Sequence, residues 1–330
     1  MLGYIVRRLI SAFLVVVLTS MFVFALFFLG PSNPAAFFCS QNGRCTPQKE
    51  ALISHELGLD QSIFNQYGVW VKGLFVSRKI NMGATYECAA PCLGISYITQ
   101  QEVRPQIISK YPATLSLAIG GSAVYLGLGV LLGALAARWR GSVADRSLVT
   151  GSLLVSSIPY YLVCLLAWLY LYLSWGVFPA TGYFPITQSP IKWFAGLLLP
   201  WLVLGLTNST SYARFSRGYM VESLGEDYVR SATAKGVSSN KAVFKHALRA
   251  AIVPVVTIFG LDFATLLGGT VFTEYIFSID GVGNFALTAL KGQDFPIVSA
   301  TVLLAATLIV IANLVVDVVY SFLDPRVRLS

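Results

Sequence analysis

The chain has 330 residues, of which 56% are hydrophobic and only 12% are charged, and its formal net charge is +8. An average soluble domain is about 25% charged. The composition therefore excludes an ordinary soluble enzyme and indicates an integral membrane protein, in agreement with a mean hydropathy of +0.70.

Six apolar runs are each close to the roughly 20 residues that cross a bilayer. Their predicted bounds are Leu9–Leu29, Ala113–Ala137, Leu148–Leu173, Trp193–Ser211, Ala251–Phe272 and Ile297–Tyr320. Backbone polar groups in hydrocarbon must be hydrogen-bonded within the segment, so each run is predicted to be a helix. The first run is interpreted as a retained span rather than a signal peptide, because no small-x-small cleavage pattern follows it. The predicted fold class is an all-α integral membrane protein with six transmembrane helices.

Basic residues predict the orientation of these spans. With the N-terminus inside, 14 of the 23 lysines and arginines fall on the cytoplasmic side, whereas the two short outer loops carry only Lys192 and Lys291. Both termini are therefore predicted to be cytoplasmic. The positive charge is spread over several loops of one membrane face, which argues against a nucleic-acid partner and leaves membrane lipid as the surroundings.

The spans divide the chain into three regions. Residues 1–29 hold the N-terminus and the first span, residues 30–112 form an extracytoplasmic segment, and residues 113–330 hold the other five spans. The last region includes a long cytoplasmic loop at 214–249.

The outer segment holds four of the five cysteines, which are Cys39, Cys45, Cys88 and Cys92. Disulfides persist on the translocated side of a membrane. The short spacings favour the pairs Cys39–Cys45 and Cys88–Cys92 over the other pairings. A zinc site is the alternative, but no histidine lies near Cys88 and Cys92, so we expect no metal. Cys164, within the third span, is expected to stay a thiol.

Small residues and prolines mark packing and bending points in the spans. Gly129 and Gly133 form a Gly-x-x-x-Gly pattern that lets two helices approach closely, and Gly268–Gly269 is a similar element in the fifth span. Pro159 and Pro254 predict kinks in the third and fifth spans.

Two acidic residues fall within apolar runs. Asp262 lies near the middle of the fifth span, and Asp317 lies near the inner end of the sixth. An intramembrane acid is costly, so each is a candidate for gating or for the transport pathway. The alternative is a hydrogen-bonding group at a helix interface, which fits Asp317 better because it lies near the membrane edge.

The cytoplasmic loop is predicted to leave the membrane and return to it as a helix–turn–helix elbow. Apolar residues at steps of three and four form one helical stripe, made of Val221, Leu224, Tyr228 and Ala232. Gly236 is a predicted helix stop, and Ser238 or Ser239 is a predicted N-cap for a second helix near Asn240. Exposed apolar residues between charges fit a groove on a partner; the alternative is a solvated loop.

Residues Arg230–Gly236 resemble the EAA loop of ABC-importer permeases. Ala232 and Gly236 match its Glu-Ala-Ala-x-x-x-Gly pattern, whereas Arg230 and Ser231 depart from it. The longer segment Asp227–Gly236, followed by His246–Arg249, is similar to the peptide-import branch.

Other stretches are similar to the same branch, namely Tyr4–Leu9, Leu57–Asp60, Pro112–Leu115, Ser156–Pro159, Glu274–Phe277, Gly281–Gly283 and Leu323–Arg328. The resemblance implies the ABC type I importer permease fold. It implies an ATPase-coupling loop whose residues include Leu224, Glu226, Asp227, Tyr228, Arg230, Ala232, Lys235 and Gly236. Glu274 joins Asp262 as a gate or pathway candidate. The insertion around Cys88–Cys92 departs from the family's pattern.

The resemblance implies di- or oligopeptides as cargo, with three kinds of partner: a second homologous permease, cytoplasmic ATPase subunits and an external substrate-binding protein. The sequence has no Gly-x-x-x-x-Gly-Lys-Ser/Thr motif, so ATP hydrolysis is expected in a partner, and we expect no catalytic residue or cofactor in this chain. A nickel permease of the same branch is an alternative. A proton-coupled transporter would need a relay of intramembrane acids or histidines. A membrane-embedded hydrolase is a further alternative, although neither His55 nor His246 lies in a predicted span.

Overall fold

The computed structural model describes the backbone of residues 2–29, 35, 45–56, 60–81 and 84–323, and the side chains within 7–25, 35, 45–55, 60–81 and 84–316. The helices are α1 (Leu2–Leu29), α2 (Pro47–Glu56), α3 (Ile63–Phe75), α4 (Val103–Arg138), α5 (Val143–Ser157), α6 (Tyr160–Ser174), α7 (Pro190–Gly225), α8 (Asp227–Ala234), α9 (Ser239–Leu267), α10 (Val271–Ile276), α11 (Val282–Lys291) and α12 (Phe295–Leu323). The strands are β1 (Arg78–Asn81) and β2 (Thr85–Cys88).

The chain forms two compact units. One is Met1–Pro112 with Gly281–Ile311, and the other is Ala113–Asp280 with Ala312–Ser330. The boundary between Pro112 and Ala113 coincides with the end of the predicted outer segment, residues 30–112. Residues 281–311 belong to the first unit, although the sequence pattern grouped them with residues 113–330.

Five of the described helices are long and apolar enough to cross a membrane, and α5 with α6, a pair bent by 89°, makes a sixth if the pair is counted as one span. This agrees with the six predicted spans. The third span is not one straight helix, because it breaks at Ile158 and Pro159. Proline has no N–H to donate and disfavours the helical conformation of the residue before it. The predicted kink at Pro159 is thus confirmed, whereas α9 stays helical through Pro254.

Two helix ends differ from the predicted spans. The helix α7 has 36 residues and continues beyond Ser211 as far as Gly225. Such a helix is about 54 Å long, more than the roughly 30 Å of hydrocarbon. The helix α9 ends at Leu267 rather than at Phe272, and Gly269 after it has φ +118°. The Gly268–Gly269 pair therefore lies at the end of the helix, where the positive φ of Gly269 favours glycine.

The helices α4 and α7 approach each other at glycines, as the Gly-x-x-x-Gly pattern predicts. A Cβ added at Gly129 would lie 2.4 Å from Tyr212 Cβ, and one added at Gly133 would lie 2.6 Å from the carbonyl oxygen of Ala213. Trp201 on α7 also donates from Nε1 to the carbonyl oxygen of Ser116 on α4, at 3.0 Å. Because the main chains nearly touch, no side chain larger than hydrogen fits at these two positions.

The largest buried cluster of the second unit joins α4, α6, α7 and the segment after α10. Its members include Leu117, Cys164, Leu197, Leu199, Phe277 and Ile279. Cys164 is a free, buried thiol, as predicted. The short helix α10 is therefore held inside the protein rather than at a surface loop.

The first unit contains a β-hairpin that the all-helical prediction missed. Strands β1 and β2 pair antiparallel, with Arg78 opposite Cys88. Cys88 is bonded to Cys92, which confirms the predicted disulfide and excludes zinc binding by these two thiols. The predicted Cys39–Cys45 bond involves Cys39, which lies outside the described residues.

A buried carboxylate holds the loop after this hairpin in place. Asp294 is 1% exposed and accepts hydrogen bonds from Ser96 Oγ at 2.5 Å, from the N–H of Tyr97 at 3.1 Å and from the N–H of Ile98 at 3.4 Å. Burial, together with the nearby Asp294 carboxylate, raises the pKa of Tyr97 to about 12. The loop is thus fixed to the turn between α11 and α12 by a contact across 198 residues of sequence.

We predict that Gly133→Ala destabilises the protein by about 1–3 kcal/mol, because the added methyl group overpacks the α4–α7 contact. The matched control is Gly127→Ala on the same helix, where a Cβ meets nothing within 4 Å; alanine there should be neutral or stabilise by up to about 1 kcal/mol. Thermal unfolding in detergent measures both. Equal melting temperatures for the two variants would contradict the close packing.

We predict that peptide mapping without reduction recovers Cys88 and Cys92 in one crosslinked peptide and Cys164 as a free thiol. Both bonded cysteines are at most 2% exposed, so a reductant that cannot enter the folded protein should leave the bond intact. Free thiols at Cys88 and Cys92 in freshly prepared membranes would refute the assignment.

Candidate functional site

In the loop between α7 and α9, the first of the two predicted helices is broken into two pieces. The helix α7 ends at Gly225, and Glu226 has an extended backbone, with φ −70° and ψ 145°. Glu226 then precedes α8, and its carbonyl oxygen accepts from the N–H of Val229 and of Arg230, both at 3.1 Å. The expectation of one helix over Glu222–Lys235 is therefore wrong at Glu226. Glycine is a poor helix former, so Gly225 is the sequence signal for this break.

The reversal after α8 follows the prediction. Gly236 has φ +88°, and its N–H donates to the carbonyl oxygen of Thr233 at 3.0 Å. The next N–H, of Val237, donates to the carbonyl oxygen of Ala232 at 3.2 Å, so the end of α8 is capped by backbone bonds. Ser238 is the N-cap residue of α9, although its side chain makes no capping bond. We call residues 225–243 the elbow.

The break divides the predicted apolar stripe between two surfaces. Leu224 is half-buried against Met220 and Val243 of its own chain, whereas Tyr228 is 47% exposed. Val229 is buried, and sequence reasoning missed it because the stripe was drawn through Glu226 as one helix. Read from Asp227 alone, α8 is short and amphipathic, with Val229 inward and Tyr228 outward.

An open groove of about 470 Å³ lies beside the elbow. It is lined by Arg138, Leu224, Val229, Arg230, Thr233, Ala234, Ser239, Ala242 and Val243. Glu226, Asp227, Arg230 and Lys235 are all exposed. The contact between Arg230 and Asp227 measures 4.0 Å between exposed atoms, and such a pair contributes little stability. These charges are therefore free to meet a partner surface.

An ion pair joins α7 to the start of α5. Arg217 donates from Nε and Nη2 to the carboxylate of Asp145, which is 2% exposed. The same carboxylate accepts from the N–H of Gly141 at 2.9 Å. A buried two-point contact of this kind fixes both distance and direction, so the two helices are held together just before α7 reaches the elbow.

Asp262 lies in the last two turns of α9 and is exposed. The hydroxyl of Tyr212 on α7 donates to its Oδ2 at 2.8 Å. Tyr212 is 2% exposed and packs against Tyr125 of α4, with ring centroids 4.8 Å apart. The carboxylate of Asp262 on α9 thus lies at a surface, and the rings of Tyr212 on α7 and Tyr125 on α4 pack behind it.

Glu274 is fully buried, in contrast to Asp262. It accepts from Thr114 Oγ1 at 2.9 Å, and from the N–H and Oγ1 of Thr270 at 3.2 and 3.4 Å. The bond from the Thr270 N–H makes Glu274 a cap for the first turn of α10. Its side chain therefore has a structural use in this conformation. The side chain of Asp317 lies outside the described residues.

Comparisons with known proteins match both parts of the chain. Residues 129–329 match the family model described as a binding-protein-dependent transport system inner membrane component, and residues 1–118 match the N-terminal model of the corresponding membrane component. The chain belongs to this permease family.

Full-length relatives agree with this assignment. The chain is 34% identical to a probable peptide ABC transporter permease of Sinorhizobium fredii, with 98% of this chain and 99% of the relative covered. It is 37% identical to a di/tripeptide transport system permease of Pseudomonas aeruginosa and 31% identical to a dipeptide transport system permease of Escherichia coli, with 99% of each chain covered.

Membership of the binding-protein-dependent permease family confirms the fold expected from the EAA-type loop, that of a type I ABC importer permease. The family is a transport component of the inner membrane, which agrees with the multi-pass helices described above.

Proposed function

We propose that this permease is one subunit of an ATP-driven importer for di- or oligopeptides, and that it forms half of the translocation pathway. The observation that carries the proposal is similarity over nearly the whole chain to permeases whose names state peptide transport. A second homologous permease supplies the other half of the pathway. Separate cytoplasmic ATPase subunits and an extracytoplasmic peptide-binding protein complete the importer.

The elbow is the proposed contact with the ATPase. Tyr228 and Ala232 on the outer side of α8 are the apolar anchors, and Glu226, Asp227, Arg230 and Lys235 form the polar rim. Leu224 and Val229 hold α8 against its own chain. A few apolar anchors supply most of the affinity in such contacts, whereas rim charges supply orientation.

The conformational change of the ATPase is proposed to be transmitted to the membrane helices through α7. This helix runs without a break from Pro190 to Gly225, and Arg217 ties it to Asp145. Movement of the elbow is therefore passed to α7 and α5 together, which suits a switch between outward- and inward-open states.

The proposed topology has both termini in the cytoplasm. It is supported by the excess of lysine and arginine in the loops on that side, including the elbow. This orientation places the disulfide-bearing hairpin of residues 78–92 on the outer face, where the binding protein delivers its peptide. Asp262 belongs to the proposed pathway, and Glu274 is assigned to holding α10.

The cargo and energy source are tested together in proteoliposomes that contain the whole importer. We predict that uptake of trialanine requires ATP and the binding protein, and that a protonophore leaves it unchanged when ATP is held constant. Uptake driven by a pH gradient alone, without ATP, would establish a proton-coupled transporter instead. ATP-dependent uptake of Ni²⁺ but not of trialanine would identify the nickel alternative.

Tyr228→Ala is predicted to weaken co-purification of the ATPase by about tenfold, since a buried aromatic anchor is typically worth at least 1–2 kcal/mol, or roughly a factor of ten. Phe64→Ala is the control, because Phe64 is 78% exposed but lies in the outer segment. If both variants recover the same amount of ATPase, the elbow does not bind the ATPase and is an ordinary solvated loop.

Gly236→Val is predicted to reduce peptide uptake even where the ATPase still binds, because φ +88° is strained by about 1–2 kcal/mol in a residue with a Cβ. Gly218→Val on α7 is the control, since a Cβ there meets nothing within 4 Å and its φ is ordinary. The measurement is the ratio of peptide uptake to ATP hydrolysis. An unchanged ratio in Gly236→Val would contradict transmission through the elbow.

A further inference from the structure

Asp262 combines an exposed carboxylate with buried groups that hold it. Tyr212 donates to Oδ2 at 2.8 Å, and both Tyr212 and Tyr125 behind it are at most 2% exposed. Within the part of the chain that the structure describes, Asp262 has no lysine, arginine or histidine within ion-pair distance. Tyr212 thus binds one carboxylate oxygen, and no cation among the described residues forms an ion pair with the acid.

Lipid is an unfavourable neighbour for this carboxylate. An acid facing hydrocarbon near the centre of a span costs roughly 2.5–3.5 kcal/mol. Thr265, about one turn further along α9, is also exposed, and its hydroxyl donates to the carbonyl oxygen of Asp262 at 2.6 Å. The face that carries Asp262 and Thr265 is thus polar, and we assign it to the interior of the assembled importer.

Tyr125 provides a second, independent indication of a binding site. Its side chain is 1% exposed, and its hydroxyl has no hydrogen-bond partner among the described residues. Leaving a buried hydroxyl unbonded costs about 1–3 kcal/mol. Its ring lies 4.8 Å from that of Tyr212, so the two phenols lie side by side behind the acid. Such a pair can rearrange its hydrogen bonds when a cation neutralises Asp262.

We propose that Asp262 binds the α-ammonium group of the transported peptide, with Tyr212 holding the carboxylate in position. This inference rests on the proposed peptide-import function. The α-ammonium group is common to all unblocked peptides, whatever their side chains, and it offers three N–H donors to a carboxylate. One acid can therefore serve peptides of varied sequence, while side-chain preference is left to other surfaces.

The first test is direct labelling of the assembled importer with Woodward's reagent K, which reacts with accessible carboxylate groups. Mass spectrometry follows the adduct at Asp262. Trialanine is expected to slow this labelling about tenfold, the factor for one charge-assisted hydrogen bond. N-acetyl-trialanine, which has the same length but no ammonium group, is expected to give no protection. Equal protection by the two peptides would overturn the proposal.

The second test is ATP-dependent uptake of trialanine by Asp262→Asn, Asp262→Glu and Tyr212→Phe. The uptake rate of Asp262→Asn is expected to be about tenfold below that of the parent. Asp262→Glu is expected to have a higher uptake rate than Asp262→Asn. The uptake rate of Tyr212→Phe is expected to lie between those of the parent and Asp262→Asn. Thr257→Ala is the control on the same helix, because the hydroxyl of Thr257 only donates to the carbonyl oxygen of Val253 at 3.1 Å, and it is expected to match the parent. Parental uptake in Asp262→Asn would overturn the inference.

Whether the complex stays assembled distinguishes a binding role of Asp262 from a structural one. If Asp262→Asn loses the second permease during purification, Asp262 is an intersubunit contact and the ammonium proposal fails. If the parent complex takes up no peptide at all, the proposed function itself fails. The parent and the variant therefore report on the two proposals separately.

Discussion

The near-contact of the α4 and α7 main chains is the constraint on which most of the second unit depends. Gly129 and Gly133 leave no room for a side chain between the helices. Once that contact is made, the rotation and height of α7 are fixed. Tyr212 then meets Asp262 on α9, and Arg217 meets Asp145 on α5. Neither contact would survive a displacement of α7 by one helical turn, about 5.4 Å.

The length of α7 connects this packing to the elbow. Hydropathy ended the fourth span at Ser211, because the residues after it are more polar, yet the helix continues through Gly218 as far as Gly225. The main chain therefore stays helical beyond the predicted end of the span and leads directly into the elbow. A rigid element that begins in the membrane and ends at Gly225 needs no separate hinge at the membrane surface.

Local patterns in the sequence predicted most of the spans, the Gly129–Gly133 contact, the Pro159 break and the Gly236 turn, because each depends on covalent geometry or on a few neighbouring residues. The split of the elbow at Glu226 was missed because helical periodicity was applied across Gly225, and the stripe drawn on that basis did not include Val229. The anchoring of the Ser96 loop by Asp294 spans 198 residues. A contact of that range depends on where two distant segments pack, which composition and spacing in one sequence do not determine.

Asp262 and Glu274 show why burial must be known before an acid is given a role. Asp262 and Glu274 looked alike as carboxylates within or beside the fifth span. The early end of α9 at Leu267 separates them: Glu274 falls on α10, inside the protein, where Thr114 and Thr270 satisfy it. A carboxylate that is already bonded on several sides offers little to a ligand, since binding would have to break those bonds. Asp262 is exposed and its one side-chain hydrogen bond among the described residues comes from Tyr212, so a cation there would have fewer bonds to displace.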